Sequence, residues 1–267
     1  MDKKKLRWKW LFTGIRWAVV AVMLAGAITL VVSYQERRWE GRERFTVIQL
    51  GPPVVVASFD PQTGRGIKIE LPDELEIETV GGRGKWRLGV LLAAGEAQWA
   101  ADSVAEALGV GYEGRAEDLG WIDRWGWWAR GRNVNWEEVA LGKTSLISWE
   151  KGVDGVEAGH LAKGWEARAD TWFVSQAIAQ EQLRVKIVNT TGVAGLGSRV
   201  ARMVERAGMK VAEVTTGVEE KQKCVVSGPA GSVGVRSLVR WLGCGWQKAD
   251  ETVVEVGADY RRMLEGN

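Results

Sequence analysis

The chain has 267 residues, of which 46% are hydrophobic and 26% are charged, a composition typical of a folded protein with about two domains. Thirty-six basic residues balance 34 acidic ones, and this near-neutral charge excludes the strongly basic footprint of a nucleic-acid-binding protein. A single histidine, His160, argues against a histidine-rich metal centre and a Ser-His-Asp site, and we place it on a solvated helix. We therefore predict no metal and no cofactor.

The first 44 residues read as a basic tail, an apolar segment and a juxtamembrane segment. Residues 17–34 contain no charge, and at about 1.5 Å per residue they could cross a hydrocarbon core of roughly 30 Å. Six cations precede this segment and four follow it, which favours a single-pass anchor with a cytoplasmic N-terminus and an extracytoplasmic remainder. The alternative is a cleaved signal peptide, because Ala25-Gly26-Ala27 has the small-x-small form. The apolar run continues past that site through Val32, which favours the anchor.

Residues 45–80 predict a β-hairpin. Residues 54–58 form a short apolar strand, and residues 60–64, DPQTG, have the composition of a turn. Apolar and charged residues then alternate over 67–71, which is typical of a half-exposed strand.

Helices are predicted to follow this hairpin. Residues 96–108 place alanine, valine and leucine on one face, and Gly109 stands where a C-terminal cap belongs. Two more helices are predicted near 116–128 and 135–141, the second opened by a capping-box pattern from Asn135 to Glu138.

Two stretches of this region carry a family resemblance. VVVASFDPQTGRGIKIELP resembles the opening hairpin of the LytR-CpsA-Psr family, and GRGKWRLGVLLAAGEAQWAADSVAEALGV is similar to the segment that follows it there. Members of that family are membrane-anchored extracytoplasmic enzymes that transfer glycopolymers from a lipid pyrophosphate carrier to peptidoglycan. The resemblance implies a shortened α/β domain of this kind over residues 45–160.

The chain departs from that family where pyrophosphate is bound. The acidic-threonine pair before the first strand is replaced by residues 50–53, LGPP, and the Pro-Arg-Asp motif is replaced by residues 72–74, PDE. An anion therefore stands where the family has a cation, and carboxylates cannot supply the donors that pyrophosphate needs. We expect a region without catalytic residues. A working transferase remains the alternative, and it would need substitute arginines such as Arg65, Arg83 and Arg87.

Two side-chain clusters of the middle region have a plain and a functional interpretation. The carboxylates could bind a cation, but their alternation with apolar residues favours a solvated strand face. They are Asp73, Glu74, Glu76 and Glu78.

The tryptophans of the middle region could form a carbohydrate-stacking platform, or they could pack in the core and between helices. They are Trp121, Trp125, Trp127, Trp128 and Trp136.

A helical connector is predicted over residues 161–182, followed by a small β-α-β-β-α-β domain over 183–267. Apolar and charged residues alternate at the start of this domain, and two amphipathic helical stripes follow. In the second helix, Arg236 and Arg240 are predicted to face outward. The predicted fold class is therefore α/β, with an N-terminal transmembrane helix, a shortened middle domain and this C-terminal domain.

The C-terminal domain carries the closer resemblance. KIVNTTGVAGLGSRVARMVERAGMKV resembles the start of the LytR C-terminal domain, and VVEVGADY resembles its last strand. The match covers about residues 183–260. It implies a small module that follows a transferase domain or stands on its own anchor.

The loop NTTGVAGLGSR, residues 189–199, does not have the glycine spacing of a dinucleotide fingerprint, and no Gly-Lys-Ser/Thr follows it as in a P-loop. Its glycines are expected to turn the chain into the helix, while Asn189 and Thr191 bond their own loop and Thr191 or Ser198 caps the helix. The free helix amides could attract a carboxylate or sugar acid. The candidate ligand residues are Asn189, Thr191, Gly192, Gly195, Ser198 and Arg199.

The sequence leaves the pairing of Cys224 and Cys244 open, since it gives no distance between their Cα atoms. Taken together, the patterns predict a membrane-anchored extracytoplasmic protein that acts as a non-catalytic binding or assembly module of the cell wall, with peptidoglycan or another wall glycan as the partner. A glycopolymer transferase and a scaffold for other envelope membrane proteins are the alternatives.

Overall fold

The computed structural model describes residues 3–35, 37–152 and 155–260, with side chains from residue 17 onward except Ala18. The side chains of the predicted basic tail and residues 261–267 of the predicted C-terminal domain lie outside the described part. Helix α1 covers Lys3–Gln35, and its large apolar side chains from Trp17 onward are exposed. Within the described residues, no helix meets the length and hydropathy required to cross a bilayer. The predicted transmembrane helix is thus not supported.

The middle region is a mixed α/β domain, as predicted. Its elements in chain order are β1 Phe45–Gln49, β2 Val54–Asp60, β3 Arg65–Leu71, β4 Glu76–Glu78, β5 Lys85–Arg87, α2 Leu88–Ala93, α3 Ala97–Leu108, β6 Gly114–Arg115, α4 Trp121–Gly131, β7 Asn135–Ala140, β8 Ile147–Lys151, β9 Glu157–Leu161 and α5 Gly164–Trp172. Five strands form one sheet in the order β6-β1-β2-β3-β7, while β4-β5 and β8-β9 form two small antiparallel ribbons.

The predicted hairpin is present as the antiparallel pair β2 and β3. Asp60 closes its turn, because one carboxylate oxygen accepts the backbone N–H groups of Gln62 and Thr63. The other oxygen accepts the N–H of Gln176, 2.7 Å away, so this buried carboxylate also joins the hairpin to a distant segment.

Two helix predictions for the middle region were wrong. Residues 135–140 form strand β7, which pairs in parallel with β3 at the edge of the sheet, so the capping-box interpretation of Asn135 and Glu138 does not hold. His160 lies on strand β9 opposite Ser148. In both cases hydrogen bonding to a neighbouring strand overrides a weak local preference.

Two separate cores stabilise the middle domain. The larger one packs α3 and α5 with the strands, and it includes Trp165 and Phe173. The smaller one is aromatic and encloses Trp39, Phe45 and Phe59 between α4 and the other face of the sheet. Each buried aromatic side chain removes a large apolar surface from water.

The C-terminal domain has the elements α6 Gln176–Glu181, β10 Arg184–Asn189, α7 Leu196–Arg206, β11 Lys210–Thr216, β12 Val225–Gly228, α8 Val233–Leu242, β13 Gly245–Lys248 and β14 Thr252–Val256. The strand order is β11-β10-β14-β12-β13. The predicted β-α-β-β-α-β order is present with one additional strand, β13. All four residues of β13 are exposed at the sheet edge, so the sequence has no apolar alternation that would predict this strand.

Helix α6 belongs to the core of this C-terminal domain. Ala177 and Ile178 pack into the domain's apolar cluster. The Glu181 carboxylate accepts hydrogen bonds from the Val233 and Gly234 N–H groups, 2.7 and 3.0 Å away, and so caps the N-terminus of α8. An anion at this end of a helix is stabilised by the free amides and by the helix dipole.

Cys224 and Cys244 form a disulfide, which resolves the alternative that the sequence left open. The two residues directly precede the parallel neighbours β12 and β13, and their Cα atoms are 4.8 Å apart. The bridge therefore ties the edge strand to the sheet.

Candidate functional site

The glycine loop, residues 189–199, is held by its own polar side chains. The Asn189 side-chain amide donates to the Val193 carbonyl at 2.8 Å, and its carbonyl oxygen accepts from the Thr191 N–H at 3.1 Å. Gly192 and Gly195 have φ angles of 74° and 79°, which favour glycine. The predicted turn and its internal hydrogen bonds are confirmed.

The loop does not use its side chains to cap α7. The Thr191 hydroxyl accepts from Val193 rather than from a helix amide, Ser198 is exposed, and no side chain caps this helix. Arg199 leaves the loop and forms an ion pair with Glu106 of the middle domain at 2.6 Å. The structure therefore keeps five of the six candidate residues together and directs the arginine elsewhere. Their ligand-binding role stays a prediction.

Arg199 is one of three arginines by which α7 meets the end of α3, and we call this the α7 contact. Arg202 donates to the Glu106 backbone carbonyl at 2.9 Å, and Arg206 donates to the Leu108 carbonyl. Both carbonyls belong to the last turn of α3. The Glu106 carbonyl also accepts the backbone N–H of the C-cap residue at 3.0 Å, so the arginines of one domain add to the backbone cap of a helix in the other.

Gly109 makes this approach possible. It terminates α3 with a φ of 67°, and a Cβ placed on it would come within 2.6 Å of the Arg206 guanidinium. Arg206 itself is only 2% exposed, and its guanidinium also contacts Glu166 and Asp170 on α5. The sequence predicted that Gly109 caps α3, but it did not predict that the Arg206 guanidinium packs against this glycine.

A second set of ion pairs, the α8 contact, joins α8 to the segment after α1. Arg236 pairs with Glu40 at 2.8 Å, and Arg240 pairs with the buried Glu43 at 2.5 Å. The prediction that both arginines face outward was wrong, because the segment after α1 covers the charged face of the helix.

A cavity of about 340 Å³ lies between these two contacts, and we call it the interdomain cavity. Helix α3 presents Gln98, Asp102 and Glu106 to it, at positions four apart and hence on one helix face. The opposite wall comes from the C-terminal domain. Its polar and aromatic members are Arg199, Arg240, Trp241 and Tyr260.

On the α3 wall, Asp102 is the centre of a small hydrogen-bond network. The Tyr112 hydroxyl donates to it at 2.5 Å, and the Gln98 amide donates at 3.1 Å. Burial raises the pKa of Asp102, and the two hydrogen bonds oppose that shift. Burial also raises the pKa of Glu106, although the charge of Arg199 acts in the other direction.

Glu113 connects the two domains at the far end of the cavity. It accepts the Thr46 N–H at 2.8 Å and the Trp241 indole N–H at 3.1 Å. Complete burial raises its pKa to about 7, with Glu43 adding to the shift and Arg240 opposing it. This carboxyl therefore titrates near neutral pH.

Tyr260 supplies the cavity with an unused hydroxyl. Its side chain is 9% exposed and packs in the C-terminal core, yet it lines the cavity. Among the described residues the hydroxyl has no hydrogen-bond partner. Burial raises the pKa of Tyr260, and the neighbouring charges of Glu106 and Asp102 add to this, so the hydroxyl stays neutral and can donate.

The arginines required by the transferase alternative do not line this cavity. Arg65 begins β3, Arg83 pairs with Glu96 at 3.0 Å, and Arg87 lies on β5. The described residues also contain no group of three or more His, Cys, Asp or Glu side chains that could hold a metal.

The five tryptophans divide into two groups. Trp127 and Trp136 pack against Phe59, with ring centroids 5.3 and 5.9 Å away, as the core interpretation predicts. The other three project from one face of α4 and are exposed. They are Trp121, Trp125 and Trp128.

Sequence reasoning missed the interdomain cavity, because its walls come from segments far apart in the chain, such as Glu106 and Arg199, which are 93 residues apart. Two signals were present in the sequence. Gln98, Asp102 and Glu106 recur every fourth residue, and Tyr260 ends the Gly-x-Asp-Tyr motif.

A family model described as LytR cell envelope-related transcriptional attenuator matches residues 182–260. The predicted resemblance of the C-terminal domain to the LytR C-terminal domain is thereby confirmed. No curated protein matches the chain.

Three solved structures are similar in part. A transcriptional regulator from Enterococcus faecalis is 12% identical with a TM-score of 0.36, over 63% of this chain and 89% of that one. TagT (YwtF), a LytR-CPS2A-Psr family protein with bound octaprenyl pyrophosphate lipid, is 11% identical with a TM-score of 0.24, over 84% and 88%. B. subtilis TagV is 10% identical with a TM-score of 0.23, over 84% and 95%. TagT belongs to the family predicted for the middle region, but at these TM-scores the likeness carries no argument about a site.

Proposed function

We propose that this chain is a non-catalytic cell-envelope protein that binds a wall glycan in the interdomain cavity. The observation that carries the proposal is the hydroxyl of Tyr260, which lines that cavity and has no hydrogen-bond partner within the part of the chain that the structure describes. Tyr260 is also the last residue of the segment that matches the cell-envelope family model. A hydroxyl that faces a cavity and is not engaged by the protein can donate to, and accept from, a ligand hydroxyl or amide.

The composition of the cavity suits a sugar better than a polyanion. Trp241 and Tyr112 offer aromatic faces on which the C–H face of a sugar ring can pack. Gln98 and Asp102 provide planar donors and acceptors for ring hydroxyls. Three arginines face three carboxylates, so the cavity has no excess positive charge with which to select a chain of phosphates. Its volume lies within the usual range of small-ligand pockets.

The location outside the cytoplasm is part of the same proposal. The Cys224–Cys244 disulfide supports it, because such bonds persist in oxidising compartments. We also propose that the protein is held at the cell membrane, which the exposed apolar side chains of α1 support. Membrane fractionation of cells, with protease protection of the C-terminal domain as a readout, tests both statements.

Sedimentation of the purified full chain with peptidoglycan tests the ligand. The Tyr260→Phe variant keeps the ring and removes the hydroxyl, so we expect its affinity to fall about fivefold, which is the effect of one hydrogen bond. Tyr34→Phe is the matched control, since Tyr34 is exposed on α1. If the unmodified protein does not pellet with wall material, the proposal fails.

Two further variants separate the alternatives. Gly195→Val tests the glycine loop, and a loss of binding in this variant alone would move the site there. An assay with a lipid-pyrophosphate donor tests the transferase alternative, and turnover that Arg83→Ala abolishes would replace a binding role by a catalytic one. Cross-linking in cells to a single defined envelope protein, without glycan binding, would favour a scaffold.

A further inference from the structure

Helix α4 carries an exposed stripe of three tryptophans that neither the core nor the interdomain cavity uses. Trp121, Trp125 and Trp128 are 54%, 65% and 57% exposed. Their spacing of four and three residues places them on one face of the helix. We call this face the tryptophan stripe.

The rest of the helix holds the stripe in a fixed orientation. On the inner side, the buried Asp123 accepts the Arg38 and Trp39 N–H groups at 2.9 and 3.2 Å. The Trp127 ring packs 5.5 Å from that of Phe45. The tryptophan stripe is therefore the outward face of an anchored helix and not a loosely held segment.

The tryptophan stripe is continuous with the exposed apolar surface of α1. The Trp121 indole donates to the Ser33 hydroxyl at 2.9 Å, near the end of α1. The neighbouring α1 side chains Val31, Val32 and Tyr34 are exposed as well. Together they make an apolar surface larger than isolated exposed residues produce, and surfaces of this kind mark an interaction site.

The charges around the stripe are positive. Arg132 lies over the Trp128 ring at 4.9 Å, and Arg37 lies over the Tyr34 ring at 3.8 Å. Arg124 is exposed, and among the residues that the structure describes it donates to the backbone carbonyls of Glu117 and Leu119. The nearby carboxylates Glu117 and Asp118 are paired with Arg115.

We propose that the tryptophan stripe docks on an anionic lipid bilayer, with the indoles at the level of the headgroups. Indole rings favour this level because they combine an apolar body with a polar N–H, and arginines beside them attract anionic lipid. A sugar platform is expected to pair the rings with both donors and acceptors for the sugar hydroxyls, and here the neighbours are guanidinium groups, which only donate. This contact does not depend on glycan binding in the interdomain cavity, so the two proposals can fail separately.

The experiment uses the full chain in vesicles of phosphatidylcholine, with or without phosphatidylglycerol. A fluorophore is attached to Trp125→Cys and, as the matched control, to Trp246→Cys, whose native side chain is 51% exposed on β13. The native disulfide leaves the introduced cysteine as the reactive thiol. The label is quenched either by iodide from water or by a lipid with a nitroxide near its headgroup.

We expect the label at position 125 to be about threefold less accessible to iodide than the label at 246, and to be quenched by the nitroxide lipid. Arg124→Gln combined with Arg132→Gln should remove the additional protection that phosphatidylglycerol gives, with the far-UV circular dichroism unchanged. Equal iodide access at the two positions would overturn the proposal. Protection from iodide without nitroxide quenching would also overturn the proposal and would indicate that a second copy of the chain covers the stripe. Protection that appears only with added wall glycan would overturn it and would indicate a sugar platform.

Discussion

The two helices of the C-terminal domain meet the rest of the protein in different ways. The α7 contact combines ion pairs with guanidinium hydrogen bonds to backbone carbonyls, and Arg206 is buried there beside the end of α3. The α8 contact directs arginines at carboxylates, and Arg236 and Glu40 remain partly exposed. A buried donor that satisfies a helix end is costly to remove, whereas a partly exposed ion pair contributes little. The stabilisation that a contact provides therefore depends on how deeply its partners are buried and not on how many ion pairs it contains.

The largest effect is expected from a substitution in the α7 contact. Arg206→Ala leaves the Leu108 carbonyl without its partner and empties a buried site, so we expect the free energy of unfolding to fall by about 4 kcal/mol. Urea denaturation of the full chain measures it. Arg184→Ala, an exposed residue on β10, is the control. A loss below about 1 kcal/mol would show that the α7 contact is no stronger than the α8 contact.

The disulfide stabilises the α8 side, since Cys244 lies two residues after the end of that helix. In the chain-entropy description, a bridge across 20 residues stabilises by about 3 kcal/mol. We expect the Cys224→Ser, Cys244→Ser double variant to lose that amount in thermal and urea unfolding. Reduction of the native protein should give the same result, and the double variant should not respond to reductant. A double variant as stable as the native protein would contradict this.

The pH dependence of stability separates the two sides further, because Glu113 belongs to the α8 side through Trp241. Burial raises its folded-state pKa from the ordinary 4.5 to about 7, so the folded protein holds this proton more tightly than the unfolded chain does. The contribution of the protonated carboxyl to the free energy of unfolding is therefore complete below about pH 4.5 and is lost as the pH rises to 7. The loss amounts to roughly 2–3 kcal/mol. Glu113→Gln should remove this slope. A variant with the same pH profile as the native protein would refute the assignment.

The smallest effect is expected at the periphery of the α8 contact. Arg236→Ala removes a partly exposed ion pair with Glu40, so we expect a loss below about 0.5 kcal/mol that vanishes in 1 M salt. Arg240→Ala should cost more, because it leaves the buried Glu43 without its partner. If the free energy of unfolding falls by the same amount in both variants, burial does not determine how much these ion pairs stabilise the protein.

The sequence predicted the elements whose patterns are strongly periodic. Helix α3, with its glycine cap, and the amphipathic helix α7 follow this rule. It did not predict β7, because NWEEVA is an edge strand with no clear alternation and its pairing partner lies about 70 residues earlier. It did not predict β13 either, because all four residues of that edge strand are exposed and show no alternation.

The candidate site was less predictable than the fold. A helical stripe separates apolar from charged residues, but it cannot tell whether water or another domain covers the charged side. Arg240 was therefore expected in solvent, although its partner Glu43 stands 197 residues away. The interdomain cavity depends on many such distant pairs, and a single sequence gives no distance between them.

Glu181 carries a practical consequence for dissecting the protein. The family match begins at residue 182, whereas the carboxylate that caps α8 is one residue earlier, and the apolar side chains of α6 fill the same core. A recombinant fragment cut at the family boundary would therefore lose both a helix cap and part of its interior. A gene fragment intended to yield the isolated C-terminal domain should start before Ser175, whose buried hydroxyl accepts the backbone N–H of Arg44 in the neighbouring domain.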